Sequence, residues 1–275
     1  MKKPSIKKEN LKKGIYIIPS LFTCGNMALG VLSIFASSEG LFLRAAWFLV
    51  GALVCDILDG RIARMTKTTS EFGLHIDSLS DVISFGVAPA FMMHQLVLAD
   101  MGPPGVAIAV LFVLCSALRL ARFNVLAQSG ESYKHFVGLP TPASAGVILS
   151  FVLSYEILGP AGYGVGSNTI PGVAALMPVI FRAMPVVTII LSFLMVSNVP
   201  YVSFKKTKLT RVRSIQLFCF FIVLAILLLV FPQNVIFIIF FGYAASGLLF
   251  YFPRLLWAKK RNRKKREPVK SLPEA

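Results

Sequence analysis

Apolar stretches of bilayer length, about 20 residues each, recur along this chain at roughly 15–36, 41–64, 72–98, 104–126, 142–160, 173–200, 214–231 and 234–256. They leave little room for any architecture but a bundle of membrane-spanning helices. Composition agrees: 56% of residues are hydrophobic and 15% charged, with mean hydropathy +0.75, against roughly 25% charged in globular domains. The expected fold class is all-α, a polytopic membrane helix bundle of about eight transmembrane helices.

A net charge of +16 raises the question of nucleic acid, and the placement of the charge answers it. Lysines and arginines cluster at Lys2 to Lys13, at Arg61, Arg64 and Lys67, at Arg119, Arg122 and Lys134, at Lys205 to Arg213, and from Arg254 to Lys270. With eight spans all of these fall on one side, and the opposite loops hold almost no basic residue besides Arg44. By the positive-inside rule both termini and every basic loop are cytoplasmic. The tail Lys259 to Arg266 has no interleaved aromatics, so attraction to anionic headgroups is expected and nucleic-acid binding is not. The N-terminus resembles a secretory leader, yet its apolar part exceeds the usual 7 to 15 residues or so and contains Pro19 and Asn26, which makes it an uncleaved first helix. Cys24, Cys55, Cys115 and Cys219 lie within apolar spans at spacings that suit neither zinc nor a disulfide framework.

Polar residues are concentrated in the second, third and fourth spans. Asp56, Asp59, Asp77 and Asp81 are a third of the chain's 12 acidic residues, and an ionised carboxylate in the bilayer centre costs about 2.5–3.5 kcal/mol on insertion scales. Asp56, Asp59, Gly60, Ala63 and Arg64 share one helical face, as do Gly73, Asp77, Ser80, Asp81 and Ser84 on the next helix. A short turn, Met65 to Ser70, makes the two helices antiparallel neighbours. Asp59 and Asp77 each lie roughly ten residues, about 15 Å, from its middle, so the acidic pairs meet at one depth in the cytoplasmic half. Four carboxylates suit two hard divalent cations, Mg²⁺ or Mn²⁺; His75 falls off the acidic face, which argues against zinc. Such a pair could clamp a pyrophosphate and stabilise in-line displacement at phosphorus. Gly60, Ala63 and Gly73 either admit a nucleotide or are ordinary small residues at helix contacts, and Arg64 is either a phosphate partner or a topology charge.

The spacing Asp56-x2-Asp59-Gly60-x2-Ala63-Arg64-x8-Gly73-x3-Asp77-x3-Asp81 resembles, position for position, the motif of the CDP-alcohol phosphotransferase family. The resemblance implies a six-helix catalytic core, usually dimeric, that transfers a substituted phosphoryl group from a CDP-linked donor to an alcohol, releases CMP and needs two divalent metals. It implies that Asp56, Asp59 and Asp77 are metal ligands, that Asp81 is a ligand or the general base, and that Gly60, Ala63, Arg64 and Gly73 contact the nucleotide. Thr23 and Asn26 on the first span are further candidates for the cytidine.

Within that family, Ser84-Phe85-Gly86-Val87-Ala88-Pro89-Ala90, Arg119-Leu120-Ala121-Arg122-Phe123-Asn124 and Gly138-Leu139-Pro140-Thr141-Pro142-Ala143 are similar to integral-membrane phosphatidylserine synthases. This implies CDP-diacylglycerol as donor, L-serine as acceptor, a homodimer, and a multi-pass protein of the cytoplasmic membrane with its site facing the cytoplasm. Serine needs a cation for its carboxylate, and Arg119 and Arg122 could supply one; glycerol 3-phosphate would want the same. Asn124 and Ser84 are candidates for the acceptor's hydroxyl or amine, or for interhelical bonding. Asp81 is the residue expected to take the hydroxyl proton. A phosphatidylglycerophosphate or archaetidylserine synthase is the alternative within the family, and an ion-coupled transporter the alternative outside it. The organisation expected is a basic N-terminus at 1–14 with an interfacial helix at its end, a catalytic membrane core at 15–205, two additional transmembrane helices at 206–256 and a disordered basic tail at 257–275.

Overall fold

The computed structural model describes residues 6–66, 71–128, 136–158, 171–201, 227, 230 and 234–247. Nearly all of them are helical. Helix α1 (Ile6–Ser38) runs without a break from the basic N-terminal segment into the first span, with Pro19 inside it. The interfacial helix expected near Leu11 is therefore the start of the same rod. At its end the Gly40 N–H reaches the Ser37 carbonyl and the Leu41 N–H that of Ala36, at 3.1 and 2.9 Å. This double C-cap needs a left-handed residue, and Gly40 supplies it with φ of 75°. The chain reverses within three residues, and α2 (Phe42–Thr66) packs back along α1.

Helix α3 (Glu71–Asp81) continues through a π-helical turn (Val82–Val87) into α4 (Ala88–Met93), a second π-turn (His94–Leu98) and a 3₁₀ turn (Ala99–Met101). Together these form one apolar rod of 31 residues, Glu71–Met101. After Gly102 come α5 (Pro103–Gln128), a two-residue strand β1 (Phe136–Val137), α6 (Thr141–Leu158), α7 (Pro171–Val196) and strand β2 (Pro200–Tyr201). Helix α8 (Asn234–Gly247) is shorter and apolar.

By length and composition four helices can cross a membrane: Pro19–Ser38, Glu71–Met101, Pro103–Leu126 and Ala175–Val196. Helix α2 has the length, 25 residues, but carries Arg44, Asp56 and Asp59 as well as its apolar face. The expected seventh span and the basic tail lie outside the described residues, apart from positions 227 and 230.

Helix α6 is the centre of the bundle: Ala143, Val147, Ile148, Leu149, Phe151, Val152 and Leu153 are all under 9% exposed, which is what a helix apolar on all sides requires. Phe112 of α5, Met92 and Met93 of α4 and Leu191 of α7 close around it. At one end of the bundle β1 pairs antiparallel with β2. There Gly138, at φ of 83°, donates its N–H to the Val199 carbonyl at 2.9 Å. Its Cα lies so close to the Ser197 carbonyl that a Cβ would come to 3.0 Å from the oxygen, so glycine is required on both counts. Tyr201 is buried under α8 and donates its hydroxyl to the Ala244 carbonyl at 3.2 Å; burial pushes this phenol up to about 12, which keeps it a donor. Arg182 is exposed on α7 and takes no part in the site.

Candidate active site

On α2 the buried face runs Ala45, Leu49, Ala52 and then Asp59, so the stripe that packs the helix above becomes acidic below. Asp77 and Asp81 lie one turn apart on α3. The hairpin brings carboxylate oxygens of Asp56, Asp59 and Asp77 within 4.8 Å of one another. Asp59 is 4% and Asp81 8% exposed. Asp81 stands beside this trio, with its carboxyl in hydrogen-bonding reach of Asp56. Like charges near 4 Å repel by about 4 kcal/mol at an effective dielectric of 20, and among the described residues no lysine or arginine lies against Asp56, Asp59 or Asp77. The donor set is all carboxylate oxygen, and His75 is exposed. These residues fit hard divalent cations.

Helix α1 fastens the acidic hairpin from the other side. Thr23 donates its hydroxyl to Asp59 Oδ2 at 2.9 Å and Asn26 its amide to Asp81 Oδ1 at 3.4 Å. In return Ser80 donates to the Thr23 carbonyl at 3.1 Å and Ser84 to the Asn26 carbonyl at 2.9 Å. Thr23 and Asn26, expected near a nucleotide, thus touch the carboxylates themselves. Ser84 is fully buried and its hydroxyl binds helix to helix. Asn26 keeps its Oδ1 buried and unpartnered.

The small residues divide. A Cβ on Gly30 would stand 2.9 Å from Ser84 Cα, so that glycine is a helix contact. A Cβ on Gly60 would meet nothing within 4 Å, so no neighbouring helix accounts for it. Ala63 and Gly73 are half-buried, and Arg64 is exposed in the last turn of α2.

The fourth span separates the two arginines. Arg119 donates Nη1 to Thr141 Oγ1 at 2.7 Å, its Nε is buried without a partner, and its charge is felt at Asp81. Arg122 instead binds Asn198 Oδ1 at 2.7 Å and the Val196 carbonyl at 3.4 Å, tying α5 to the end of α7. Asn124 donates to Ser78 at 2.8 Å and leaves its Oδ1 buried and unpartnered. Ser78, Ser80, Thr141 and Asn198 are partners that sequence reading did not single out as site residues. Ser80 shares the helical face of Asp77, and Thr141 lies within the string Gly138 to Ala143, so both carried a signal; Ser78 and Asn198 carried none.

Comparison with known proteins agrees with this geometry. Residues 16–166 match the family model described as CDP-alcohol phosphatidyltransferase. A protein of Helicobacter pylori named CDP-diacylglycerol--serine O-phosphatidyltransferase is 35% identical over 254 residues, 90% of this chain and 98% of that one. A protein of the same name from a second Helicobacter pylori strain is 40% identical over 70% of this chain and 75% of its own. The archaetidylserine synthase of Methanothermobacter thermautotrophicus is 42% identical over 139 residues, 50% of this chain and 58% of its own. With its motif carried on two adjoining helices and more than half its length covered by the family model, the chain belongs to the CDP-alcohol phosphatidyltransferase family.

Proposed function

We propose that this protein transfers the phosphatidyl group of CDP-diacylglycerol to the hydroxyl of L-serine, giving phosphatidylserine and CMP. The observation that carries the reading is the cluster of Asp56, Asp59 and Asp77 oxygens within 4.8 Å, with Asp81 alongside. Asp56, Asp59 and Asp77 would hold the divalent ions, Mg²⁺ or Mn²⁺, and Asp81 would hold one or serve as base. When bound, such ions neutralise the pyrophosphate and stabilise charge on the leaving phosphate. The open ground at Gly60 leaves room for the nucleotide along α2, with Ala63, Arg64 and Gly73 on the same faces.

The serine oxygen forms the new bond to the phosphorus bearing diacylglycerol as the bond from that phosphorus to the bridging oxygen breaks. CMP departs with the electron pair, and Asp81 takes the hydroxyl proton. Asn26 holds the Asp81 carboxyl in place for that role. A zwitterion suits the polar atoms left over: Arg119 Nε is a buried donor for a carboxylate, and Asn26 Oδ1 and Asn124 Oδ1 are buried acceptors for an ammonium. The names of the Helicobacter relatives support the same acceptor. Basic loops on one side support a site facing the cytoplasm, and a homodimer is the assembly proposed.

The test is to give purified protein CDP-diacylglycerol with serine or with glycerol 3-phosphate, and to identify the lipid and the nucleotide formed. Phosphatidylserine and CMP in equal amounts, lost on chelation and restored by Mg²⁺ or Mn²⁺, are expected. Phosphatidylglycerophosphate as the product, or turnover that persists after chelation, would overturn the acceptor or the metal assignment respectively.

A further inference from the structure

Helix α8 lies beyond residues 16–166, the part matched by the family model, and its hydropathy alone suits a lipid-facing accessory. Its contacts are of another kind. Gly146 of α6 packs so closely on the Phe240 ring that any side chain there would strike it. From that contact α8 continues to Tyr201, whose strand pairs with the residues just before α6, so its next turn lies toward the start of α6, where Thr141 holds Arg119. Tyr243 is one turn on from Phe240, on the same face, and is half-buried. Its ring stands 5.5 Å from that of Tyr201, and the Tyr201 hydroxyl holds the next carbonyl of α8, that of Ala244. Tyr243 and Asp81 both lie near enough to Arg119 for its charge to act on them.

We infer that Tyr243, clamped by Tyr201 and brought beside Arg119 by the Gly146–Phe240 contact, is a positioning residue for acceptor selection: it fixes the guanidinium that receives the acceptor's carboxylate. This rests on the assignment of Arg119 to the acceptor given above. A guanidinium discriminates by its rigid fork. With Nη1 committed to Thr141 and Nε buried without a partner, the remaining donor edge is held for a planar anion. The last helix thus contributes to choosing the alcohol while the shared motif performs the transfer.

The test measures KM for serine, KM for CDP-diacylglycerol and kcat in the purified full chain. Tyr243→Phe keeps the ring packing and should raise KM for serine about three- to tenfold, with kcat and the donor KM within twofold or so. Tyr201→Phe frees the Ala244 carbonyl without touching Arg119 and should move the serine KM in the same direction. Arg119→Lys should raise it further, and adding Tyr243→Phe to Arg119→Lys should cost little more, because the two act as one unit. If Arg119→Lys raises the serine KM and Tyr243→Phe does not, the role of Tyr243 is refuted. Tyr243→Phe changes that fall equally on both substrates and on thermal stability would make it a packing residue and refute the inference too. If Arg119→Lys itself leaves the serine KM unchanged, the failure lies in the acceptor assignment of Arg119.

Discussion

Thr23 and Asn26 illustrate how a carboxylate is aimed. Asp59 carries the Thr23 hydroxyl on one oxygen, which restricts its rotamer and fixes the direction in which the carboxylate faces its neighbours. Partners of this kind are typically worth 10- to 100-fold in metal affinity or activity. Thr23→Val, which keeps the shape and removes the donor, should therefore cut turnover by roughly 10- to 100-fold, and raised concentrations of Mg²⁺ or Mn²⁺ should recover part of it. Titration of activity against metal concentration reads this directly; a proportionate loss at saturating metal would place the effect elsewhere. Asp81→Asn should abolish turnover yet leave CDP-diacylglycerol binding measurable by nucleotide protection, and near-normal rates would refute its role as base. The four aspartates were legible because two of them on each helix repeat at helical spacing, a local property. The bonds from Thr23 and Asn26 were not, since Thr23 and Asp59 are 36 residues apart and Asn26 and Asp81 are 55 apart, and no local pattern encodes that pairing.

Helices here differ in what they ask of a glycine. The α1 contact with the π-turn is backbone against backbone at Gly30, with Ser84 Cα 2.9 Å from where a Cβ would stand, whereas Gly60 on α2 faces open space. Gly30→Ala should therefore destabilise the protein by about 1–3 kcal/mol through overpacking. Gly60→Ala should leave stability unchanged or raise it by about 1 kcal/mol, as helix propensity favours alanine, while weakening CDP-diacylglycerol binding. Thermal melts in detergent, paired with the donor KM, distinguish the two. Equal destabilisation by both substitutions would mean that Gly60 is also a helix contact. The extents of α2 and α5 followed from the apolar stretches at 41–64 and 104–126, and the α2–α3 hairpin from the shortness of residues 65–70. The two π-turns in the third span did not, because Val82–Val87 and His94–Leu98 have the composition of ordinary helix. The first lies where Ser84 packs against α1 and Gly86 against Ser116, whose Oγ is 2.8 Å from where a Cβ would be; that constraint is tertiary. Helix α1 likewise runs unbroken from Ile6 through the stretch read as an interfacial helix at the end of residues 1–14.

Across the whole molecule, one side of the bundle binds loops as well as helices. The β1–β2 pair and the Arg122–Asn198 bond join the α5–α6 connection to the end of α7, so the rim nearest Arg119 is made from segments that are remote in sequence. The class of protein could be read from the chain alone, because it depends on totals and on neighbours. The central position of α6 and the return of α8 onto Tyr201 could not, since several of these helices are apolar on all sides and hydropathy does not say which is innermost. A consequence follows from the four polar bonds that run between α1 and the α2–α3 hairpin. On the proposed mechanism Asp59 and Asp81 are at once rivets of the scaffold and tools of its chemistry, so there is no intact but idle shape for the molecule to relax into. On heating, the loss of CMP release should coincide with the loss of helix packing; a temperature range in which the fold endures and catalysis has vanished would show that fastening and function can be uncoupled.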